Sequence, residues 1–244
     1  MSDLVLVVPV YNEADRLDAV PWLEFLAANK SSALYFVDDG STDRTADMIE
    51  RIRRGAPDQV LTLRLAENRG KAEAVRTGMV QALATTATFA GFIDADLAAP
   101  LSEVTLLTTD LEAHLEVWAA FGSRVKLLGR EIDRSERRHY LGRVFATLAS
   151  FAVSLPVYDT QCGLKLFRRV PEVAEAFATP FRSKWIFDVE LLARLSRAAG
   201  ADVLARIREV PLEHWHERGT SRLRAADWLR APLELLQIRL RRSS

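Results

Sequence analysis

The sequence predicts an α/β domain, a mostly parallel, Rossmann-like sheet flanked by helices, and three observations carry this. Short apolar runs alternate with helical patterns through the first half, the mark of consecutive βαβ units. The runs are continuously apolar, as strands covered on both faces must be. Polar clusters follow three of them, YNE, DDGSTD and DAD, at the carboxyl ends where open parallel sheets bind ligands.

Leu4–Val8 opens the series as a strand, and Glu13–Ala28 follows as a helix. Ala33–Val37 is the second strand, and Ser41–Arg54 a helix with Ser41 or Thr42 as N-cap. Val60–Leu65 and Lys71–Ala84 form the next strand and helix, Phe89–Ile93 and Ser102–His114 the next pair, and Val117–Phe121 a fifth strand. The second half is less regular. Arg143–Leu155 and Trp185–Ala198 read as helices, and Leu164–Phe167 and Val203–Val210 as strands. Ala225–Arg242 is a helical stretch interrupted or restarted at Pro232. No Pro/Gly/Ser-rich linker divides the chain, so a single domain over residues 1–244 is expected.

Composition excludes several classes. Hydrophobic residues make up 49% and charged residues 27%, which argues against disorder. One cysteine, Cys162, excludes an intrachain disulfide and fits a reducing compartment. The net charge of zero hides an asymmetry: residues 1–122 carry 19 acids and 10 bases, residues 123–244 carry 14 acids and 23 bases. Opposite halves of this kind point to different partners. No apolar stretch reaches 18 residues, and the segment MSDLVLVVPVYNE lacks a basic region before its apolar run. A soluble or peripheral protein, in the cytoplasm or at the cytoplasmic face of a membrane, is therefore expected. Nucleic-acid binding is not, since the basic half has no interleaved aromatics and no known motif.

Asp94 and Asp96 form a D-x-D directly after the apolar strand AGFI. Alternate residues of extended chain point the same way, so both carboxylates can face one cation. Mg²⁺ or Mn²⁺ is commonly held by one or two carboxylates plus substrate phosphates. Asp38 and Asp39 can accept from a base imide or a ribose hydroxyl, while Ser41, Thr42 and Asp43 read as helix caps. Tyr11 can stack on a base; Glu13 can accept from a sugar hydroxyl or simply suit a helix start. The four histidines, His114, His139, His214 and His216, are scattered and offer no general base. Arg134, Arg137, Arg138 and Arg143 form either a phosphate clamp or a solvated helix face.

VVPVYNE, VDDGSTDRT, NRGKAEAVRTGM and DADLAAP together resemble family 2 glycosyltransferases of the GT-A fold. DTQCGLKLFRR, WIFDVELL and EVPLEHWHERGTSRL look like the dolichyl-phosphate or polyprenyl-phosphate β-glucosyltransferase branch. The resemblance implies a nucleotide-sugar half over residues 1–122 and an acceptor half over 123–244. It implies that Pro9, Tyr11, Glu13, Asp38 and Asp39 hold uridine, that Lys71 borders the nucleotide, and that Asp94 and Asp96 hold the metal. Arg124, Ser221 and Arg222 match positions around the diphosphate or acceptor phosphate. Asp159, Gln161, Trp185, Asp188 and Glu190 match acceptor-side motifs, as does the HWH segment with Trp215; Asp159, Arg124 and Glu190 are the expected catalytic groups. Some mannosyltransferases place a Gln ligand where this chain has Ala98. The implied reaction is inverting, metal-dependent glucosyl transfer from UDP-glucose to a lipid phosphate. Mannosyl transfer from GDP-mannose, a soluble acceptor, or a nucleotide-sugar-binding protein without turnover are the alternatives. The segment HYLGRVFATLASFAVSLPV is either an interfacial helix or a core helix, and the C-terminal stretch with Arg230, Arg239, Arg241 and Arg242 meets either headgroups or protein. The oligomeric state is left open.

Overall fold

Among the described residues nine strands form: β1 (Leu4–Val10), β2 (Ser32–Asp38), β3 (Val60–Arg64), β4 (Phe89–Ile93), β5 (Ala119–Ser123), β6 (Glu131–Asp133), β7 (Leu164–Arg168), β8 (Ile207–Pro211) and β9 (His214–His216). The structure is a computed structural model that describes residues 3–133, 136–218 and 233–240, and of residues 136–141 only the backbone. Seven strands make one sheet in the order β3-β2-β1-β4-β7-β5-β8, and β6 pairs with β9 in a small second sheet. Pairing is parallel except around β7, which runs antiparallel to both β4 and β5. The strand order reverses at β1, since β2 and β3 lie on one side of it and β4 on the other. That reversal is where an open α/β sheet presents a crevice.

Helices cover both faces, as the continuously apolar strands require. On one face α3 (Lys71–Leu83), α5 (Glu136–Val153), α6 (Pro171–Ala178) and α7 (Phe187–Ala199) bury Val75, Met79, Phe145, Phe177 and Leu191 against the sheet. On the other, α1 (Ala19–Ala28), α2 (Thr45–Gly55) and α4 (Ser102–Ala113) bury Trp22, Ile52 and Leu107. A four-residue helix α8 (Val203–Arg206) leads into β8. A further helix occupies 233–240, its Leu235 and Ile238 facing the core.

Several expected boundaries move, each for a local reason. The first helix begins at Ala19, because residues 13–18 form turns in which Arg16 and Leu17 donate to the Glu13 carbonyl. Asp18 caps α1 through Val20 N at 3.1 Å. The second helix begins at Thr45, because Ser41 and Thr42 are engaged with the β1 loop and do not cap it. The expected strand from Val203 starts as helix and becomes β8 only at Ile207. The strand expected from Val117 begins at Ala119, and the helix expected from Arg143 reaches back to Glu136. The sequence reading missed α6, which starts with Pro171 at N1, and the short β6 and β9. Of the expected Ala225–Arg242 stretch, only 233–240 falls within the described residues.

Gly78 lets α3 lie directly on the sheet: a Cβ there would sit 2.4 Å from Val7 Cγ1 and 2.9 Å from Val37 Cγ2. Gly78→Ala gains about 1 kcal/mol of helix propensity, yet overpacking of a close-packed core costs about 1–3 kcal/mol. Urea unfolding should therefore show a net loss of stability; a variant as stable as the parent would mean that α3 can shift off β1.

Candidate active site

Because β2, β1 and β4 are parallel neighbours, the loops after them meet at one edge of the sheet. The first two loops are zipped together. Asn12 N donates to Ser41 Oγ (3.0 Å), Thr42 N to Asn12 Oδ1 (2.9 Å), Glu13 N to Thr45 Oγ1 (2.8 Å) and Ala14 N to Asp43 Oδ2 (3.2 Å). Asn12 takes a left-handed φ of +51° to do this, a conformation Asn tolerates better than most residues. Ser41, Thr42 and Asp43 thus serve as cross-loop fasteners.

Asp38 and Asp39 are both buried and face opposite ways. Asp39 accepts from Arg69 N and Gly70 N, each at 2.8 Å, tying the β2 loop to the start of α3. Burial raises its pKa, with the Asp38 charge adding to this and the two N–H groups opposing it. Gly40, at φ +71°, lets this loop lie directly on the backbone before α3, since a Cβ would sit 2.6 Å from Glu67 C. Asp38 Oδ1 accepts from Ser41 N at 2.8 Å. Its Oδ2 is buried without a hydrogen bond among the described residues; Arg64 Nε lies 3.4 Å away without the alignment of one. Pro9 and Tyr11 are half-buried beside this pair, and Glu13 is buried against Arg16 at 2.8 Å.

The D-x-D turns at the end of β4. Leu97 N donates to Asp94 O, Ala98 N to Asp96 Oδ1 at 3.0 Å, and His216 N to Ala98 O at 2.8 Å, so β9 braces this loop. Burial and the neighbouring Asp94 charge raise the Asp96 pKa. Lys71, the first residue of α3, reaches Asp94 Oδ1 at 2.5 Å. Burial disfavours its charge, but Asp94, Asp188 and Asp96 outweigh that and raise its pKa, so it is a cation. Asp94 and Asp96 suit Mg²⁺ or Mn²⁺ as a donor set: hard carboxylate oxygens, few in number, at the mouth of a crevice, the arrangement used when substrate phosphates complete the sphere. Among the described residues no cluster of three or more His, Cys, Asp and Glu side chains could hold a metal alone.

Next to the D-x-D lies a second charged pair. Arg124, one residue past β5, donates Nε to Asp159 Oδ2 (2.6 Å) and Nη2 to Oδ1 (2.7 Å), and its N–H adds a bond to Oδ2 at 3.1 Å. Bidentate Arg–carboxylate pairing of this kind is strong and directional. The pKa of Arg124 is raised: burial opposes the charge and Asp159 overcomes it. Its guanidinium sits 5.4 Å over the Trp215 ring. Glu209 accepts from Tyr158 N (2.7 Å) and Asp159 N (2.6 Å), and burial raises its pKa. Arg124, Asp159, Thr160 and Gln161 line a pocket closed by Arg143, Phe145 and Tyr158, with Arg143 stacked 4.6 Å over the tyrosine ring. Thr160 Oγ1 in this pocket, and Ser123 Oγ at the end of β5, are buried without hydrogen-bond partners among the described residues. Burial pushes the Cys162 thiol up to about 11, so it stays protonated.

The remaining expected residues are placed less directly. Trp185 packs on Phe145 of α5 with ring centres 5.3 Å apart. Glu190 Oε2 accepts from Arg182 N at 2.9 Å and its Oε1 from Arg194 at 2.8 Å, which fastens the segment before α7. Asp188 is buried and paired with Lys165 at 2.6 Å. The side chains of Arg137 and Arg138 on α5, and all of Arg134, Ser221 and Arg222, lie outside the described residues. His214 is bound to Glu103 and His114 to the Asp110 carbonyl. The sequence reading missed Glu103, Lys165 and Glu209. Each is a charge inside an apolar run or beside a strand, which is the signal that would have marked them.

The protein family described as Glycosyl transferase family 2 matches residues 5–172. Dolichyl-phosphate beta-glucosyltransferase of Saccharomyces cerevisiae is 32% identical over 97% of this chain and 74% of its own length. The protein of the same description from Mus musculus is 33% identical over 98% of this chain and 76% of its own length. Glucosyl-3-phosphoglycerate synthase from Mycobacterium tuberculosis, solved with Mn²⁺ and UDP-glucose, superposes with a TM-score of 0.67 at 21% identity, covering 99% of this chain and 79% of that one. The likeness to that structure shows that the described residues have the GT-A fold. A mostly parallel sheet of this order, a D-x-D at its reversal, and these relatives agree: the chain is a glycosyltransferase and belongs to glycosyl transferase family 2.

Proposed function

We propose that the protein transfers glucose from UDP-glucose to a polyprenyl phosphate such as dolichyl phosphate, with inversion at C1. The observation that carries this is the adjacency of two charged centres: Asp94, Asp96 and Lys71 on the donor side, and the Arg124–Asp159 pair with its pocket on the other. The relatives described as dolichyl-phosphate beta-glucosyltransferases support the choice of sugar and lipid.

On the donor side, Tyr11 offers a stacking face, and Asp38 Oδ2 is an acceptor left for a base imide or a ribose hydroxyl. Asp94 and Asp96 would hold Mg²⁺ or Mn²⁺, which when bound neutralises diphosphate charge. Lys71 adds a second cation at the same place. On the acceptor side, a phosphate monoester has a second pKa of about 6 and is mostly dianionic at neutral pH. It needs little help from a base, and Arg124, held charged and oriented by Asp159, stabilises its negative charge near the anomeric carbon. Glu190 positions the 182–185 segment, and with it Trp185, without touching the reacting atoms. Charge stabilisation and alignment thus supply most of the rate enhancement.

The lipid reaches this pocket across α5. Val144, Leu148 and Phe151 are exposed along one side of α5, and Leu233, Leu236 and Leu240 along one side of the helix at 233–240. Arg239 ties the two helices together, stacking 3.9 Å over Phe151 and donating to its carbonyl at 2.8 Å. Two apolar stripes with arginines beside them suit an anionic lipid surface. No helix among the described residues is long and apolar enough to cross a membrane.

Purified protein given labelled UDP-glucose, Mg²⁺ or Mn²⁺ and a short polyprenyl phosphate should form labelled lipid, and Asp96→Asn should cut the rate roughly 100-fold or more. Label from GDP-mannose alone, or transfer only to a water-soluble phosphate, would replace the assignment of sugar or acceptor; UDP binding without any turnover would favour a binding protein. Because burial and the neighbouring Asp94 charge make the Asp96 carboxyl take up its proton at higher pH than an ordinary aspartate does, metal-dependent UDP affinity should fall on acidification before an unperturbed carboxylate would titrate; calorimetry at a series of pH values reads this. Leu148→Glu and Leu236→Glu should each lower co-sedimentation with vesicles containing anionic lipid, and equal binding by all three proteins would remove this face from the membrane.

A further inference from the structure

A lysine stands in the middle of the sheet. Lys165 lies on β7, in register with Phe92 of β4 and Phe121 of β5, and its side chain is completely buried. Its ammonium sits 5.3 and 5.2 Å from those two rings and donates to Asp188 Oδ1 and to the Cys162 carbonyl, both at 2.6 Å. A buried ion pair is a poor source of stability, since a well-packed apolar pair of similar volume often does as well or better. Its presence in the core therefore calls for another use.

Both of its partners lead to Asp94. The first route is through the backbone. Lys165 holds the Cys162 carbonyl, and the next residue, Gly163, accepts from Asp94 N at 3.2 Å. Gly163 also lies so close to the Asp94 side chain that a Cβ would come within 2.3 Å of Oδ2. The second route is through charge. Asp188, anchored by Lys165, attracts the Lys71 ammonium, which grips Asp94 Oδ1 at 2.5 Å. The sequence of charges is Lys165, Asp188, Lys71, Asp94, alternating in sign from the core to the mouth of the crevice.

We propose that Lys165 is a positioning residue of the donor site, fixing Asp94 from two sides through Asp188 with Lys71 and through the Cys162–Gly163 backbone. It rests on the reading that Asp94 and Asp96 hold a metal–diphosphate. It touches neither the donor nor the metal. Its effect is to hold one carboxylate in place and to keep Lys71 balanced between two acids.

The test separates this role from simple core stability. Lys165→Met alone leaves Asp188 buried without its cation, so the informative variant is Lys165→Met with Asp188→Asn, which removes both charges and nearly keeps both volumes. UDP affinity is measured by calorimetry with and without Mn²⁺, beside the melting temperature. The double variant should melt close to the parent, bind UDP alone as the parent does, and lose roughly 10-fold or more of the Mn²⁺-dependent affinity, the usual scale for outer-shell support of a metal site. Lys165→Gln with Asp188→Asn, which replaces the ion pair by a neutral polar pair, should lose part of the same affinity, and it decides the matter if the first double variant does not fold. Unchanged Mn²⁺-dependent UDP affinity in either folded variant overturns the proposal. A parent protein that binds UDP no better with Mn²⁺ than without overturns the donor-site reading itself, and this inference with it.

Discussion

Acids crowd the carboxyl end of this sheet, and a buried carboxylate without partners is too costly to keep. Most of the local architecture around the site follows from how each one is satisfied. Asp39 takes two backbone N–H groups and in doing so fixes where α3 begins. Asp159 takes a guanidinium and thereby joins β5 to the segment before β7. Glu209 takes two backbone N–H groups of that same segment, and Glu103 takes two of the strand that braces the D-x-D. The loops are held by carboxylates that point inward, which leaves Asp94 and Asp96 as the pair at the crevice.

Most of the fold was legible because its strands carry an unambiguous pattern. FAGFI sits where it was expected, and LVLVVPV starts where it was expected and runs two residues further, to Val10. The loops were harder. DDGSTD reads as an N-cap because Ser and Thr before a helix usually are caps, but here those side chains bond across to the β1 loop, a partner 29 or 30 residues away that no local pattern shows. The antiparallel strand β7 could be recognised as a strand from its apolar residues, yet its direction depends on contacts with β4 and β5 far away in sequence.

The site was legible in its residue types more than in their roles. The D-x-D stands out because two acids follow an apolar strand. Asp188 and Glu190 stand out equally in WIFDVELL, but one turns inward to a lysine and the other fastens a loop. A motif marks which side chains matter and does not say whether they meet a substrate or each other. The charge asymmetry of the two halves takes on a spatial meaning at the crevice, where Arg124 of the second half stands near Asp94 of the first.

The antiparallel strand also governs how the protein is made. β7 sits between β4 and β5, which precede it by more than 40 residues, so β4 and β5 cannot be joined into one sheet until residue 168 has been made. Until then β4, five buried residues that read FAGFI, has a bare edge on that side, the kind of edge that pairs with other chains. Pairings this distant in sequence slow folding. During synthesis the first half therefore emerges with the loops after β1, β2 and β4 already made but its central strand unprotected, and a growing chain stalled before β7 carries that bare edge into an aggregation-prone state.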